Sequence, residues 1–163
     1  MSRISESSAA SRIIVLASFA VAACASVGTV RPPFPPLYQA FVDTLRTDTA
    51  ALIGTLEERI IAEGLEIRIS SVLDAYVETR WFDVVTGRSG NGDMTHPERE
   101  ILLRFWVDPL GPLGYQLTAE AVFHRVSDPS RPSRQREVMV PPGHDGEAIL
   151  LRILDGVRER FGG

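Results

Sequence analysis

The chain has 163 residues, 44% of them apolar, and a formal net charge of −4 with arginine as its only strongly basic residue. That length and apolar content suit one ordinary domain with one core. Mild acidity, with the arginines scattered among acids, argues against a nucleic-acid partner.

Arg3 and Arg12 precede an uncharged apolar run from Ile13 to Ala23, and small residues lead to the single cysteine, Cys24. A positive stretch, an apolar stretch and small residues make the layout of a secretory signal peptide. The run is well short of the roughly 20 apolar residues that a membrane span needs. Val21-Ala22-Ala23-Cys24 resembles the lipobox of bacterial lipoproteins. The resemblance implies cleavage before Cys24 and acyl chains, palmitate among them, on that cysteine. Residues 1–23 are then the signal peptide, and their loss removes Arg3, Arg12 and Glu6, taking the charge from −4 to −5. In that family an aspartate after the cysteine retains the protein at the inner membrane. Ala25 stands there instead, which implies the outer membrane with the domain facing the periplasm. An acylated Cys24 has no thiol left for a disulfide or a nucleophile.

Residues 24–36 read as a tether. Arg31-Pro32-Pro33-Phe34-Pro35-Pro36 is expected to be extended and stiff. It can serve a proline-binding module or act as a spacer holding the domain off the bilayer, and the spacer is the simpler reading.

Residues 37–163 form the expected domain. An edge strand is placed near 37–45, although Tyr38, Phe41, Val42 and Leu45 also fit a helical face. A helix then starts at Thr47 or Asp48 and runs to Glu63, stopped by Gly64. Alternation follows: Leu65, Ile67 and Ile69; then Ala75, Val77, Thr79 and Trp81; then Ile101, Leu103, Phe105 and Val107; then Tyr115 to Phe123. These predict four half-buried antiparallel strands joined by turns, with residues 86–93 a flexible loop. Glu137 to Val140 offers a short additional strand. Asp145 caps a last helix carrying Ile149, Leu150, Ile153, Leu154, Val157 and Phe161 on one face. The fold class is α+β, a two-layer sandwich with an antiparallel sheet of four to six strands and two helices on one face.

No chemistry stands out. His96, His124 and His144 lack the close spacing of a metal site, no G-x-S-x-G elbow occurs, and no Gly-rich phosphate loop precedes a helix. Glu66, Glu78, Glu100 and Glu120 are expected to point outward, paired across strands with Arg68, Arg80 and Arg104 on a solvated face. An acid/base pair is the sharper alternative. Tyr76, Arg80, Phe82, Arg104 and Trp106 share that face, and exposed aromatics beside arginine suit a protein contact patch, with Tyr76, Arg80, Arg104 and Trp106 as its candidate contacts.

Glu63-Gly64-Leu65 and the segment Asp74-Ala75-Tyr76-Val77-Glu78-Thr79-Arg80-Trp81-Phe82-Asp83 are similar to the outer-membrane assembly lipoproteins of the BamC/NlpB type. Their helix-grip domain also sets an antiparallel sheet against a long C-terminal helix behind a lipidated cysteine. Those proteins usually carry two such domains, whereas this chain has room for one. The resemblance brings no catalytic residue and no cofactor. The expectation is a non-enzymatic envelope lipoprotein, held to the membrane through Cys24, with a periplasmic contact domain for an envelope protein partner in outer-membrane assembly. The alternative is a carrier of a lipid or other hydrophobic ligand between helices and sheet.

Overall fold

In the computed structural model, residues 28–92, 96–125 and 130–162 are described. The expected signal peptide and Cys24 lie outside them. The long alternating run Glu100–Pro109 (β6) pairs with Tyr115–His124 (β7) and forms the centre of one antiparallel sheet. The 3-10 turn Gly111–Leu113 joins the two strands.

Phe41–Leu45 (β1) pairs with the first half of β7, so the ambiguous segment contains an edge strand. Thr49–Ala62 (α1) follows, its first turn capped by the Asp48 side chain, which accepts from the Ala51 amide at 2.8 Å. Gly64 adopts φ 81, the left-handed geometry that ends the helix without a Cβ penalty. Ile67–Ser71 (β2) and Tyr76–Thr79 (β3) form a hairpin on the other edge of β6.

Trp81–Asp83 (β4) continues along β6 but out of step with β3. Glu78 faces Arg104, whereas Phe82 faces Ile101, so one extra residue sits between them. This bulge corrects the alternation expected across 75–82. Val77 and Thr79 face the helices, and Phe82 joins them inside, which turns Trp81 toward the opposite face. The Leu103 amide, freed by the bulge, donates to the Thr79 hydroxyl at 3.0 Å. Ala75 stands outside the strand, in the preceding turn, at φ 52.

Arg88–Gly90 (β5) pairs with β4 where a loop was expected. Asp83 explains it: one carboxylate oxygen accepts from the Val85 and Thr86 amides, folding the chain back as an Asx turn. After the single helical turn Ser133–Arg136 (α2), Glu137–Met139 (β8) pairs with the end of β7. The sheet thus has eight strands where four to six were expected, the additions being short pieces at its edges.

Asp145–Phe161 (α3) packs with α1 on one face of the sheet. Its cap is His144, one residue before the expected Asp145. Nδ1 accepts from the Gly146 amide at 2.9 Å while Nε2 bonds the Glu98 carbonyl at 3.0 Å. Ile101, Leu103, Phe105 and Val107 face the helices as the alternation required, each no more than 1% exposed. The α+β sandwich is therefore the observed fold. What the alternation did not foresee is that the sheet's other face is also buried.

Candidate functional site

The second face has its own interior. Tyr76, Leu102, Trp106 and Val122 are buried there, with Tyr76 and Trp106 rings 5.5 Å apart. Four charged groups are buried beside them: Glu78, Arg104, Glu120 and Glu137. Transferring such charges out of water is costly unless each is paired and hydrogen-bonded. Here they are. Arg104 donates to Glu78 at 2.8 Å, to Glu120 at 2.9 Å and to Glu137 at 2.6 and 3.0 Å. Arg134 of α2 donates to Glu120 at 2.6 Å and to Glu137 at 3.1 Å. Arg68 closes the far side by pairing with Glu78. Three carboxylates thus meet three guanidinium groups.

The remaining valences are also filled. The Tyr76 hydroxyl donates to Glu78 at 2.7 Å and the Ser133 hydroxyl to Glu137 at 3.0 Å. Burial alone would push the Glu137 carboxyl up. The bonds and charge of Arg104 and Arg134, with Ser133, outweigh it and bring Glu137 down to about 2. Burial and the neighbouring Glu78 push the Tyr76 hydroxyl well up. Burial would lower the Arg104 pKa, but its bonds to the carboxylates raise it, so Arg104 stays charged.

The lid over this network is the stretch expected to be a spacer. Thr29 and Val30 bond the Asp74 carboxylate at 2.7 and 3.2 Å, and Arg31 bonds Asp108 at 2.7 and 2.9 Å. Phe34 lies over the guanidinium groups of Arg134 and Arg104, with ring centroids 4.4 and 5.2 Å away. The Pro35 carbonyl accepts from Arg134 at 2.7 Å, and the Leu37 amide donates to Glu120 at 3.0 Å. Residues 29–37 therefore form a strap across the sheet. The stiff extended proline run lies flat on a strand surface at low entropic cost.

This arrangement corrects the expected exposure of the contact patch. Tyr76, Arg104 and Trp106 are buried inside the chain itself; Arg80 alone of the four is exposed, pairing with Glu66 at 3.3 Å. Glu78 and Glu120 are likewise interior, not on a solvated face. A signal was present in β6, where Leu102 and Trp106 stand among the supposed outer residues beside Glu100 and Arg104. A strand apolar on both faces is a strand covered on both faces.

An open cleft of about 350 Å³ remains between the strap and the β4–β5 hairpin. Phe34, Ile69 and Trp81 supply apolar wall, and Arg68, Arg80 and Asn91 supply its rim. Ser133 accepts from His124 Nε2 at 3.1 Å while donating to Glu137, so its proton points at a carboxylate too acidic to take it. Burial, and then the nearby charge of Arg136, lower the pKa of His124. His96 is exposed beside Glu98, and His144 is a helix cap. Among the described residues no cluster of three or more His, Cys, Asp or Glu is placed to hold a metal, and no helix is long and apolar enough to cross a membrane. No protein-family model matches this chain, and no curated protein matches it.

Proposed function

We propose that this chain is a non-enzymatic lipoprotein of the bacterial envelope, anchored through Cys24, whose periplasmic domain presents a binding cleft to a protein partner. The resemblance to assembly lipoproteins makes outer-membrane protein assembly its setting. The observation that carries the reading is the strap. It leads from the proposed anchor into the domain and covers the face on which the sheet's buried carboxylates are held in structural pairs. What it leaves open is a cleft of apolar wall and guanidinium rim.

The cleft favours a segment of a folded or extended protein over an acyl chain. Its lining mixes Phe34 and Trp81 with Arg68, Arg80 and Glu78, and a carrier pocket is predominantly apolar. Two measurements test the reading. The intact mass of protein extracted from membranes should show an acylated chain beginning at Cys24. A photo-crosslinker at Asn91 in living cells should join one discrete envelope protein, while the same group at Ile61, exposed on α1, should not. Equal, diffuse products from both positions would sink the cleft as a partner site.

A further inference from the structure

The β2–β3 turn is built by polar residues but tipped by apolar ones. Ser71 and Asp74 bond each other and set the turn: the Asp74 amide donates to the Ser71 hydroxyl, which donates to the Asp74 carboxylate, both at 3.0 Å. Between them Val72 and Leu73 point outward, Leu73 at 86% exposure. Tight turns favour Gly, Asn, Asp, Ser and Pro, so two adjacent large aliphatics at the tip do nothing for the fold.

They do not stand alone. β3 runs antiparallel to β6, which places this turn at the same end of the sheet as the β6–β7 connection. The Val107 amide bonds the Ala75 carbonyl at 3.0 Å and ties the two together. Leu113 in that connection is 63% exposed. Val30, also exposed, is held there by Asp74. Half of the large apolar side chains exposed among the described residues thus gather at one end.

That end is also where the chain arrives from Cys24. Thr29 is bonded to Asp74, and five residue steps of at most about 3.6 Å separate it from the cysteine, a reach of roughly 18 Å. Since the strap is pinned, residues 29–37 add no spacer length. Charge at this end is nearly balanced: Arg31 pairs with Asp108, and Arg46 offsets Asp74. Nothing there demands an anionic surface.

We infer that this end of the sheet seats in the interfacial layer of the same bilayer that holds Cys24, with Val72, Leu73 and Leu113 in contact with lipid. The inference rests on the anchoring proposed above. An acyl anchor restricts the domain to the membrane surface, and apolar side chains beside it then fix its orientation. The cleft edge on β4 and β5 faces away from the turn cluster along the sheet, open to the periplasm.

The test uses the full lipoprotein purified from membranes. Leu73→Cys, Leu113→Cys and Val85→Cys each carry a small fluorophore; Val85 is exposed in the β4–β5 turn at the opposite end of the sheet. All three sites are largely exposed, so the labels leave the core intact. The proteins are placed in vesicles of phosphatidylethanolamine and phosphatidylglycerol carrying a nitroxide lipid, and in matched vesicles of phosphatidylcholine. Intact mass reports acylation on the same samples. The expected result is loss of emission at 73 and 113, in both lipid mixtures, with position 85 bright. An acylated protein in which all three positions stay bright overturns the seating and leaves the anchoring intact. Positions 73 and 113 protected from aqueous iodide yet not quenched by nitroxide lipid would mean a protein covers this end, which also overturns it. A chain with no acyl mass overturns the anchoring and the seating together.

Discussion

Arg104 and Glu120 are register partners on the two central strands, and their side chains meet at 2.9 Å with almost no water contact. A cross-strand ion pair of this type is ordinarily a surface feature of small consequence. Here it lies at the centre of a network to which β2, β3, β8, α2 and the strap also contribute.

Arg104→Met should destabilise the domain by about 3–5 kcal/mol, because it leaves Glu78, Glu120 and Glu137 short of a shared cation in a buried site. Arg104→Lys should recover little, since an ammonium cannot reach three carboxylates as a planar fork does. Arg152→Ala, which breaks the exposed pair with Glu63, should cost under about 1 kcal/mol. Urea unfolding of the three variants measures this, and equal losses at Arg104 and Arg152 would mean the network contributes nothing special.

Glu137 gives the domain an acid-sensitive component. Its folded pKa lies below its unfolded value, so its contribution is fully present above pH 4.5 and is lost as pH falls toward about 2. A shift of that size corresponds to about 3 kcal/mol. Unfolding free energy measured from pH 6 to pH 2 should drop through that window. Glu137→Gln should flatten the drop while lowering stability at neutral pH.

Phe34→Ala should loosen the strap without unfolding the sheet. The lost cation–π contacts and cover predict a cost of about 2 kcal/mol. Amide exchange should rise for residues 29–37, and tryptophan emission should shift to the red as water reaches Trp106. An unchanged emission and exchange profile would show that the strap is held by its polar bonds alone.

His144→Ala should cost about 1 kcal/mol by removing the acceptor for the Gly146 amide, and His144→Asn should restore most of it. Thermal unfolding of the pair distinguishes a cap from a residue that matters through its bond to Glu98, which Asn would not reproduce.

The order of strands and helices was legible because it depends on local period. Ile101 to Val107 alternate, Ile149 to Val157 recur at helical spacing, and Asp48 and Gly64 punctuate α1; these patterns need no knowledge of distant residues. The β5 strand and the bulge before Phe82 escaped notice because an Asx turn at Asp83 and one inserted residue reset the pattern over three positions. Exposure was a different matter. Leu102 and Trp106 hint at cover over β6, but nothing within Tyr76, Glu78, Arg104 or Glu120 says what lies above them. Residues 29–37 decide that, far from those strands in sequence, together with α2 from the other end of the chain. Charge pairing of this kind is set by where separate segments cross, since a carboxylate is stable in the interior only if distant arginines arrive at the same point. By itself the sequence determined the two-layer α+β architecture and which residues of β6 and β7 face the helices. Only the tertiary structure decided that the second side is an interior, because its covering belongs to a segment with no periodicity to announce it.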